Sequence, residues 1–326
     1  MKALALLSGG LDSMLAARLI MDQGVEVLGI SYSTPFFSSE RGRRSALELG
    51  IDFQSYDITA EYIGILRHPR YGYGRNCNPC TDCHRLMVSI ATRKLEELAA
   101  SFIITGEVVG QRPKSQTRDA MNAVAKGTSP GLLLRPLSAL LLPETMPEKE
   151  GWVDRSKLLS LSGRSRKDQF ALAARYGLKD YSSPGGGCLL TEPGYCRKLL
   201  ELKEEEGWKI PDLELLRVGR HFRISSGVQV VSGRDDRENR ALIKLAGEND
   251  YLFQATLRPG SQVLLRCRGE YLSGDIAAAA AICARYSKEK EEPIFEIDYW
   301  RGGERREVKR ISASPMAEEG LDGFRI

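Results

Sequence analysis

Long apolar runs are missing from this sequence of 326 residues. No stretch of about 18 apolar residues could span a membrane, and the first apolar stretch, Leu4–Leu7, is too short for the core of a signal peptide. Histidine is scarce, and His68, His84 and His221 show no metal-ligand spacing with one another. We therefore expect a protein that does not enter a membrane and that stays in the cytoplasm.

A disulfide framework is also not expected, because thiols are kept reduced in that compartment. Three of the seven cysteines, Cys77, Cys80 and Cys83, nevertheless fall within seven residues. Such crowding favours a chemical or metal-binding role for this group. The net charge of +4 is compatible with a nucleic-acid partner but does not require one.

The first half of the chain alternates apolar runs with amphipathic stretches, which predicts a mostly parallel, doubly wound α/β sheet. From about Arg217 the pattern changes to short alternating strands, which predicts a smaller C-terminal α+β domain. We place an ATP-handling domain at 1–185, a connector helix at 186–215 and the small domain at 216–326. The predicted strands of the first domain are Ala3–Leu7, Val25–Tyr32, Phe53–Asp57 and Phe102–Thr105, and its first helices are Asp12–Gln23, Arg43–Leu49 and Leu86–Ala100.

A glycine-containing turn links the first predicted strand to the first predicted helix. It consists of Ser8, Gly9, Gly10, Leu11, Asp12 and Ser13. Glycines let backbone N–H groups approach an anion, the helix N-terminus adds donors, and the Asp12 carboxylate suits Mg²⁺. The hexapeptide resembles the SGGxDS signature of the PP-loop ATP pyrophosphatases, which implies that ATP is split into AMP and pyrophosphate.

A second signature follows the strand that ends near Thr105. Thr105, Gly106, Glu107 and Gln111, with Ser115–Thr117 downstream, resemble the TGExxGQ…SQT segment of ThiI, the tRNA 4-thiouridine synthase. Leu134–Leu137 resembles the LRPL segment of the same family. The resemblance implies that four residues of this segment help to bind the nucleotide, namely Thr105, Gly106, Glu107 and Gln111.

The cysteines carry a further resemblance. Asn78–Cys83 is similar to the NPCxxC segment of MnmA-type tRNA 2-thiouridylases, and Cys188 follows a glycine run much later in the chain. A Cys-x-x-Cys pair with one remote cysteine also resembles the 4Fe–4S site of TtuA-type and archaeal ThiI-type thiolases. This resemblance implies a cluster held by Cys80, Cys83 and Cys188, with Cys80 and Cys188 as catalytic residues beside Asp12.

Three alternatives for the cysteines remain open. A structural zinc ion could be bound by Cys77, Cys80, Cys83 and either His84 or Cys188. Persulfide chemistry could use Cys80 and Cys188 without a metal, or the cysteines could simply be buried packing residues.

The C-terminal part resembles the NFACT-R domain, an RNA-binding module, through Phe222–Asn239, Asn249–Ala255 and a basic hairpin near Arg305. Guanidinium and aromatic groups suited to RNA contact are also present in this part. They are Arg234, Arg237, Arg240, Tyr251 and Phe253.

Together these resemblances imply ATP-dependent thiolation of a tRNA uridine, with tRNA and a sulfur donor, either a protein or inorganic sulfide, as partners. The modified ring position and the oligomeric state stay open. One alternative is a PP-loop enzyme that amidates or ligates, with its cysteines on a structural zinc. Another is a non-catalytic RNA-binding factor.

Overall fold

The computed structural model describes residues 1–181, 187–205, 208–257, 260–287 and 293–326. They form two compact units, Met1–Glu192 and Pro193–Ile326. Most of the glycine run that precedes Cys188 lies outside the described residues.

A five-stranded parallel sheet forms the centre of the first unit. Its strands are β1 (Lys2–Leu6), β2 (Glu26–Ser33), β3 (Phe53–Asp57), β4 (Phe102–Ile104) and β5 (Leu133–Leu134). The helices of this unit are α1 (Leu11–Met21), α2 (Glu40–Leu49), α3 (Thr59–Arg67), α4 (Cys80–Lys94), α5 (Arg118–Ala125), α6 (Met146–Lys149) and α7 (Lys167–Tyr176). The predicted α/β class with a mostly parallel sheet is confirmed.

The strand order β3-β2-β1-β4-β5 places β1 between β2 and β4. The chain therefore leaves β1 toward one side of the sheet and leaves β4 toward the other. In open parallel sheets this switch in direction opens a crevice at the carboxyl ends of the two strands, where ligands bind. The predicted phosphate loop follows β1 and the second signature follows β4, so both motifs lie at this crevice.

Helix α4 differs from the prediction, because it begins at Cys80 and ends at Lys94 instead of spanning Leu86–Ala100. Pro79 occupies the position before the helix. Because Thr81 and Asp82 are polar, the first turn lacks the apolar spacing by which a helix is recognised in the sequence. The correction has a chemical consequence. Cys80 and Cys83 lie on the first turn of a helix and not in a loop.

The second unit contains a six-stranded antiparallel sheet with the order β11-β10-β8-β9-β7-β6. Its strands are β6 (Arg220–Ser225), β7 (Val228–Ser232), β8 (Tyr251–Ala255), β9 (Val263–Cys267), β10 (Phe295–Arg301) and β11 (Lys309–Ala313). Its helices are α8 (Pro193–Glu205), α9 (Ile210–Leu215), α10 (Asp236–Leu245), α11 (Ser273–Arg285) and α12 (Glu318–Phe324). Small alanine side chains let α11 pack closely in the core of this sheet. The smaller α+β domain is thus also confirmed.

Candidate active site

The phosphate loop is a tight turn that only glycine fits at its centre. Gly9 has φ +82°, and a Cβ atom there would lie 2.3 Å from Cβ of Arg41. Gly10 is extended and precedes the first turn of α1, where the Ser13 hydroxyl donates a hydrogen bond of 2.7 Å to the Gly10 carbonyl oxygen. The exposed Ser8 begins the turn. Such a turn before an eleven-residue helix presents backbone N–H groups and the positive end of the helix dipole to an anion.

The second signature packs directly on this loop through Gly106. A Cβ atom on Gly106 would lie 2.4 Å from the backbone carbon of Asp12 and 2.4 Å from the backbone nitrogen of Ser13. Thr105 and Gly106 follow β4, which lies next to β1 in the sheet. A glycine is therefore required for the two motifs to meet, and the motifs form one site.

Asp12 is held by two side chains that come from distant parts of the chain. Gln111 Nε2 donates to Asp12 Oδ2 at 2.6 Å, and Arg166 Nη2 donates to Asp12 Oδ1 at 3.2 Å. Gln169 Nε2 in turn donates to Gln111 Oε1 at 2.9 Å. Both carboxylate oxygens are engaged, so a Mg²⁺ ion that binds Asp12 directly must compete with these partners.

Arg166 and Gln169 were not predicted as site residues. The sequence predicts a helix over Ser165–Tyr176, which contains both residues, but no spacing connects that helix to the phosphate loop. The connection is made by the loop after β4, because the Gly163 N–H donates to the Val109 carbonyl oxygen at 2.8 Å and brings the start of α7 to Asp12.

Glu107 is buried and binds three side chains. Its Oε2 accepts hydrogen bonds from Arg135 Nε at 2.8 Å and from Thr105 Oγ1 at 3.2 Å, and its Oε1 lies 3.1 Å from His84 Nδ1. Burial alone raises the pKa of Glu107, but the Arg135 charge and the contacts with His84 lower it to about 2. Glu107 therefore links the second signature to α4 and, through Arg135, to the LRPL segment.

The three predicted cysteines lie in one neighbourhood. Cys80 and Cys83 are on the first turn of α4, and Cys188 precedes a short turn whose Leu189 N–H donates to the Phe36 carbonyl oxygen at 2.9 Å. Burial raises the pKa of Cys83 well above its usual range, and the charges of Cys188 and Cys80 raise it further. Burial also raises the pKa of Cys188 to about 12, with an added contribution from Cys80. A metal that binds these thiols must therefore displace their protons.

No three His, Cys, Asp or Glu side chains of the described residues are arranged as a ready-made metal site. The three thiols are neighbours, but they do not form a finished set of ligands.

Backbone and side-chain contacts of the loop before α4 hold the cysteine region together. The Asp82 carboxylate accepts hydrogen bonds from the N–H groups of Arg70 at 3.2 Å and Tyr71 at 3.0 Å. The Asn76 amide donates to the Thr191 carbonyl oxygen at 2.6 Å. Buried Cys77, which the resemblances leave without a role, has its Sγ 3.8 Å from the Leu190 carbonyl oxygen. This loop therefore docks the segment that carries the remote cysteine.

Positive charge surrounds Cys80. Burial raises the pKa of its thiol, while the charges of Arg112 and Lys114 oppose that rise. Both residues lie in or beside the second signature, so that segment contributes positive charge to the cysteine site.

In the second unit, the hairpin of β10 and β11 carries exposed basic groups. Asp298 accepts hydrogen bonds from Arg305 and Arg310, each at 2.8 Å, and Arg305 lies over the ring of Trp300 at 5.0 Å from its centroid. The prediction that Phe253 contacts RNA is wrong. Its side chain is fully buried and stacks on Tyr299, because it points to the inner face of the sheet.

Comparisons with known proteins also distinguish the first part of the chain from the last. Residues 1–141 match the family model described as thiamine biosynthesis protein (ThiI), and residues 219–325 match that of the NFACT protein RNA binding domain. The first part of the chain is thus similar to the ThiI family and the last part to the NFACT-R family. No helix among the described residues is long and apolar enough to cross a membrane.

The part of the chain that is similar to ThiI also has a curated relative. A probable tRNA sulfurtransferase from Natranaerobius thermophilus is 30% identical over 158 residues, which cover 46% of this chain and 38% of that protein. The chain therefore spans less than two fifths of the length of this relative.

Solved structures give weaker likenesses. A 4-thiouridine synthetase in complex with RNA and ATP is 22% identical with a TM-score of 0.36, over 66% of this chain and 52% of that one. A predicted subunit of tRNA methyltransferase from Methanocaldococcus jannaschii is 16% identical with a TM-score of 0.32, over 42% of this chain and 69% of that one. Both TM-scores are too low to support an argument about mechanism.

Proposed function

We propose that this protein is an ATP-dependent tRNA sulfurtransferase that adenylates a uridine carbonyl oxygen and then replaces it with sulfur carried at Cys80, Cys83 and Cys188. One contact carries the proposal. His84 Nδ1 lies 3.1 Å from Glu107 Oε1, so the helix that begins with Cys80 and Cys83 is tied to the motif that packs on the phosphate loop. Nucleotide chemistry and thiol chemistry therefore share one site.

In the first step, the backbone N–H groups of the phosphate loop and the N-terminus of α1 hold the phosphates of ATP. Asp12 binds the accompanying Mg²⁺. The uridine oxygen attacks the α-phosphate and pyrophosphate leaves, which converts a poor leaving oxygen into an adenylate.

In the second step, sulfur attacks the ring carbon and AMP leaves with the original oxygen. A 4Fe–4S cluster held by Cys80, Cys83 and Cys188 would supply an iron with an open position for an extra sulfide. The chain itself brings the three thiols together, keeps them largely buried and surrounds Cys80 with the charges of Arg112 and Lys114.

The NFACT-R domain is expected to hold the tRNA. Its basic hairpin presents the guanidinium groups of Arg305 and Arg310 next to an exposed Arg306, a pattern suited to phosphate contacts. The family description of this domain names RNA binding. The curated relative of the ThiI domain is described as acting on tRNA.

The decisive experiment separates the two steps in protein purified without oxygen. Purified tRNA, ATP and sulfide are supplied, pyrophosphate release is followed, and thiolated nucleosides are measured by chromatography. Alanine at Cys80, Cys83 or Cys188 is expected to abolish thiolation and to retain pyrophosphate release, whereas Asp12→Asn is expected to abolish both.

Cys267→Ala is the matched control, because this half-buried cysteine lies in the other unit. The iron and acid-labile sulfide contents of the same samples test the cluster. Thiolation that survives all three active-site substitutions would overturn the proposal. Bound zinc with ATP turnover that survives thiol alkylation would favour a nitrogen-transferring PP-loop enzyme instead.

A further inference from the structure

Tyr62 places a buried hydroxyl group beside the three thiols. The side chain is fully buried on α3 and packs against the rings of Phe36 and Phe37, with ring centroids 5.5 and 5.4 Å away. Burial raises its pKa well above the usual range, and the charges of Cys83, Cys188 and Cys80 contribute to that rise. Helix α3 also packs on α4, whose first turn carries Cys80 and Cys83. Phe36 accepts a hydrogen bond of 2.9 Å from the N–H of Leu189, the residue after Cys188. The three thiols therefore lie near this hydroxyl group.

The Tyr62 hydroxyl has no partner in hydrogen-bond geometry among the described residues, although it lies next to Cys83. A buried polar group without a partner destabilises the fold, and a phenylalanine would fill the same space without that cost. The two neighbouring phenylalanine rings show that this part of the chain accommodates such side chains. Among the described residues, the nearest group that this hydroxyl could bind is the Cys83 thiol, and the two are not aligned as a good hydrogen bond.

Tyr32 provides the contrast within the same unit. It is also buried, but its hydroxyl donates a hydrogen bond of 2.8 Å to the Met87 carbonyl oxygen. The Tyr32 hydroxyl is therefore satisfied by a backbone group, whereas no described residue satisfies the Tyr62 hydroxyl in good geometry.

We propose that the Tyr62 hydroxyl donates a hydrogen bond to the transferable sulfur held at Cys80, Cys83 and Cys188, and so fixes the position of that sulfur. The inference rests on the proposed function, because it requires those cysteines to carry sulfur. An anionic sulfur is a good acceptor for a hydroxyl donor in a site that excludes water. Tyr62 thus contacts the transferable sulfur directly and fixes its position, whereas the three thiols carry it.

The test compares Tyr62→Phe with Tyr32→Phe in the full-length protein. Each protein is loaded without oxygen in two ways, with inorganic polysulfide alone or with iron and sulfide. Polysulfide transfers one sulfur atom to a thiolate and leaves one atom shorter. After desalting, the remaining labile sulfur is measured over time, and thermal unfolding is measured on unloaded samples.

Tyr62→Phe is expected to unfold at the wild-type temperature or above, yet to lose labile sulfur several-fold faster and to thiolate tRNA several-fold more slowly. Tyr32→Phe is expected to unfold at a lower temperature and to retain sulfur like the wild type. A purely structural role for Tyr62 predicts the reverse for stability, because its loss would lower the unfolding temperature.

Equal sulfur retention by Tyr62→Phe and the wild type in both preparations would overturn the inference and leave the proposed function intact. Absence of retained sulfur in the wild type after both treatments would overturn sulfur carriage at the cysteines, and the inference with it. The two loading methods also separate the sources of sulfur, since a persulfide needs no iron and a cluster does.

Discussion

The contact between Gly106 and the phosphate loop yields a prediction with a definite size. In Gly106→Ala the new Cβ atom would lie 2.4 Å from backbone atoms of Asp12 and Ser13, whereas ordinary contacts begin at 3.4 Å. The overlap is therefore about 1 Å. Both neighbours are backbone atoms of the first turn of α1, so no flexible side chain can move aside.

Overpacking of this kind costs about 1–3 kcal/mol, and the rigid neighbours put this site near the upper end. For a unit of this size the expected fall in melting temperature is roughly 6–12 °C. The first turn of α1 must also move by about 1 Å relative to β4, and a displacement of that size in a catalytic site costs on the order of 100-fold in rate. We therefore expect the rate of pyrophosphate release from ATP to fall by on the order of 100-fold. The melting temperature and this rate are measured on the same preparation.

Gly64→Ala is the matched control for this substitution. Gly64 is exposed within α3, and nothing lies within 4 Å of the Cβ atom it would gain. Alanine is favoured over glycine in a helix by up to about 1 kcal/mol, so this variant is expected to be slightly more stable and fully active. A Gly106→Ala variant that matched it in stability and activity would refute the packing of the two motifs described above.

Three further predictions follow from the charges. Because the pKa of Glu107 falls from 4.5 to about 2 on folding, its stabilising effect is complete above pH 4.5 and is lost as the pH falls toward 2. Glu107→Gln should therefore lower the free energy of unfolding in urea at pH 7 by about 3–5 kcal/mol. A loss of the same size near pH 2 would contradict this reasoning. In the absence of nucleotide, Arg166→Met should increase the affinity for Mn²⁺ several-fold, because Asp12 Oδ1 loses its cationic partner. An unchanged affinity in a Mn²⁺ titration would show that Asp12 does not hold the metal. Arg306→Gln with Lys309→Gln should lower the slope of log affinity against log salt for RNA by up to about 2, and an unchanged slope would place the RNA elsewhere.

The architecture of the first unit could be predicted because its central strands are buried on both faces. Ala3, Leu4 and Ala5 in β1 and Phe102–Ile104 in β4 are short continuous apolar runs, as a central parallel strand requires. Turn residues follow both runs immediately, so the strand ends were also close to the observed ones. The order of the strands, by contrast, depends on contacts between distant segments and was not predicted.

The candidate site was predicted where its residues are contiguous and was missed where they come together only in the fold. The phosphate loop is continuous, and its conformation follows from the glycine at position 9. Arg166 reaches Asp12 and Gln169 reaches Gln111 from a segment that is joined to the loop after β4 by the hydrogen bond between Gly163 and Val109, a contact that no local pattern reveals.

The aromatic residue Phe253 shows a different limit. Strand β8 lies inside its sheet and is covered on both faces, because Leu252 packs in one core cluster and Phe253 in the other. Tyr251, on the same face as Phe253, is only partly covered. Composition alone suggested aromatic groups for RNA contact, whereas burial removes Phe253 from them.

The cysteine group contains two residues that are close in the sequence and one that joins them only in the fold. Cys80 and Cys83 are three residues apart, so a helix through them places both on one face, as the spacing implies. Cys188 is more than a hundred residues away and is positioned by backbone contacts of its neighbours, Leu189 with Phe36 and Thr191 with Asn76. Two thiols are thus fixed by a helix and the third by a docked segment. The three thiols come together only when that segment is in place. Under the proposed function, the stability of its docking, and not the presence of the cysteines alone, would therefore set the fraction of chains able to transfer sulfur.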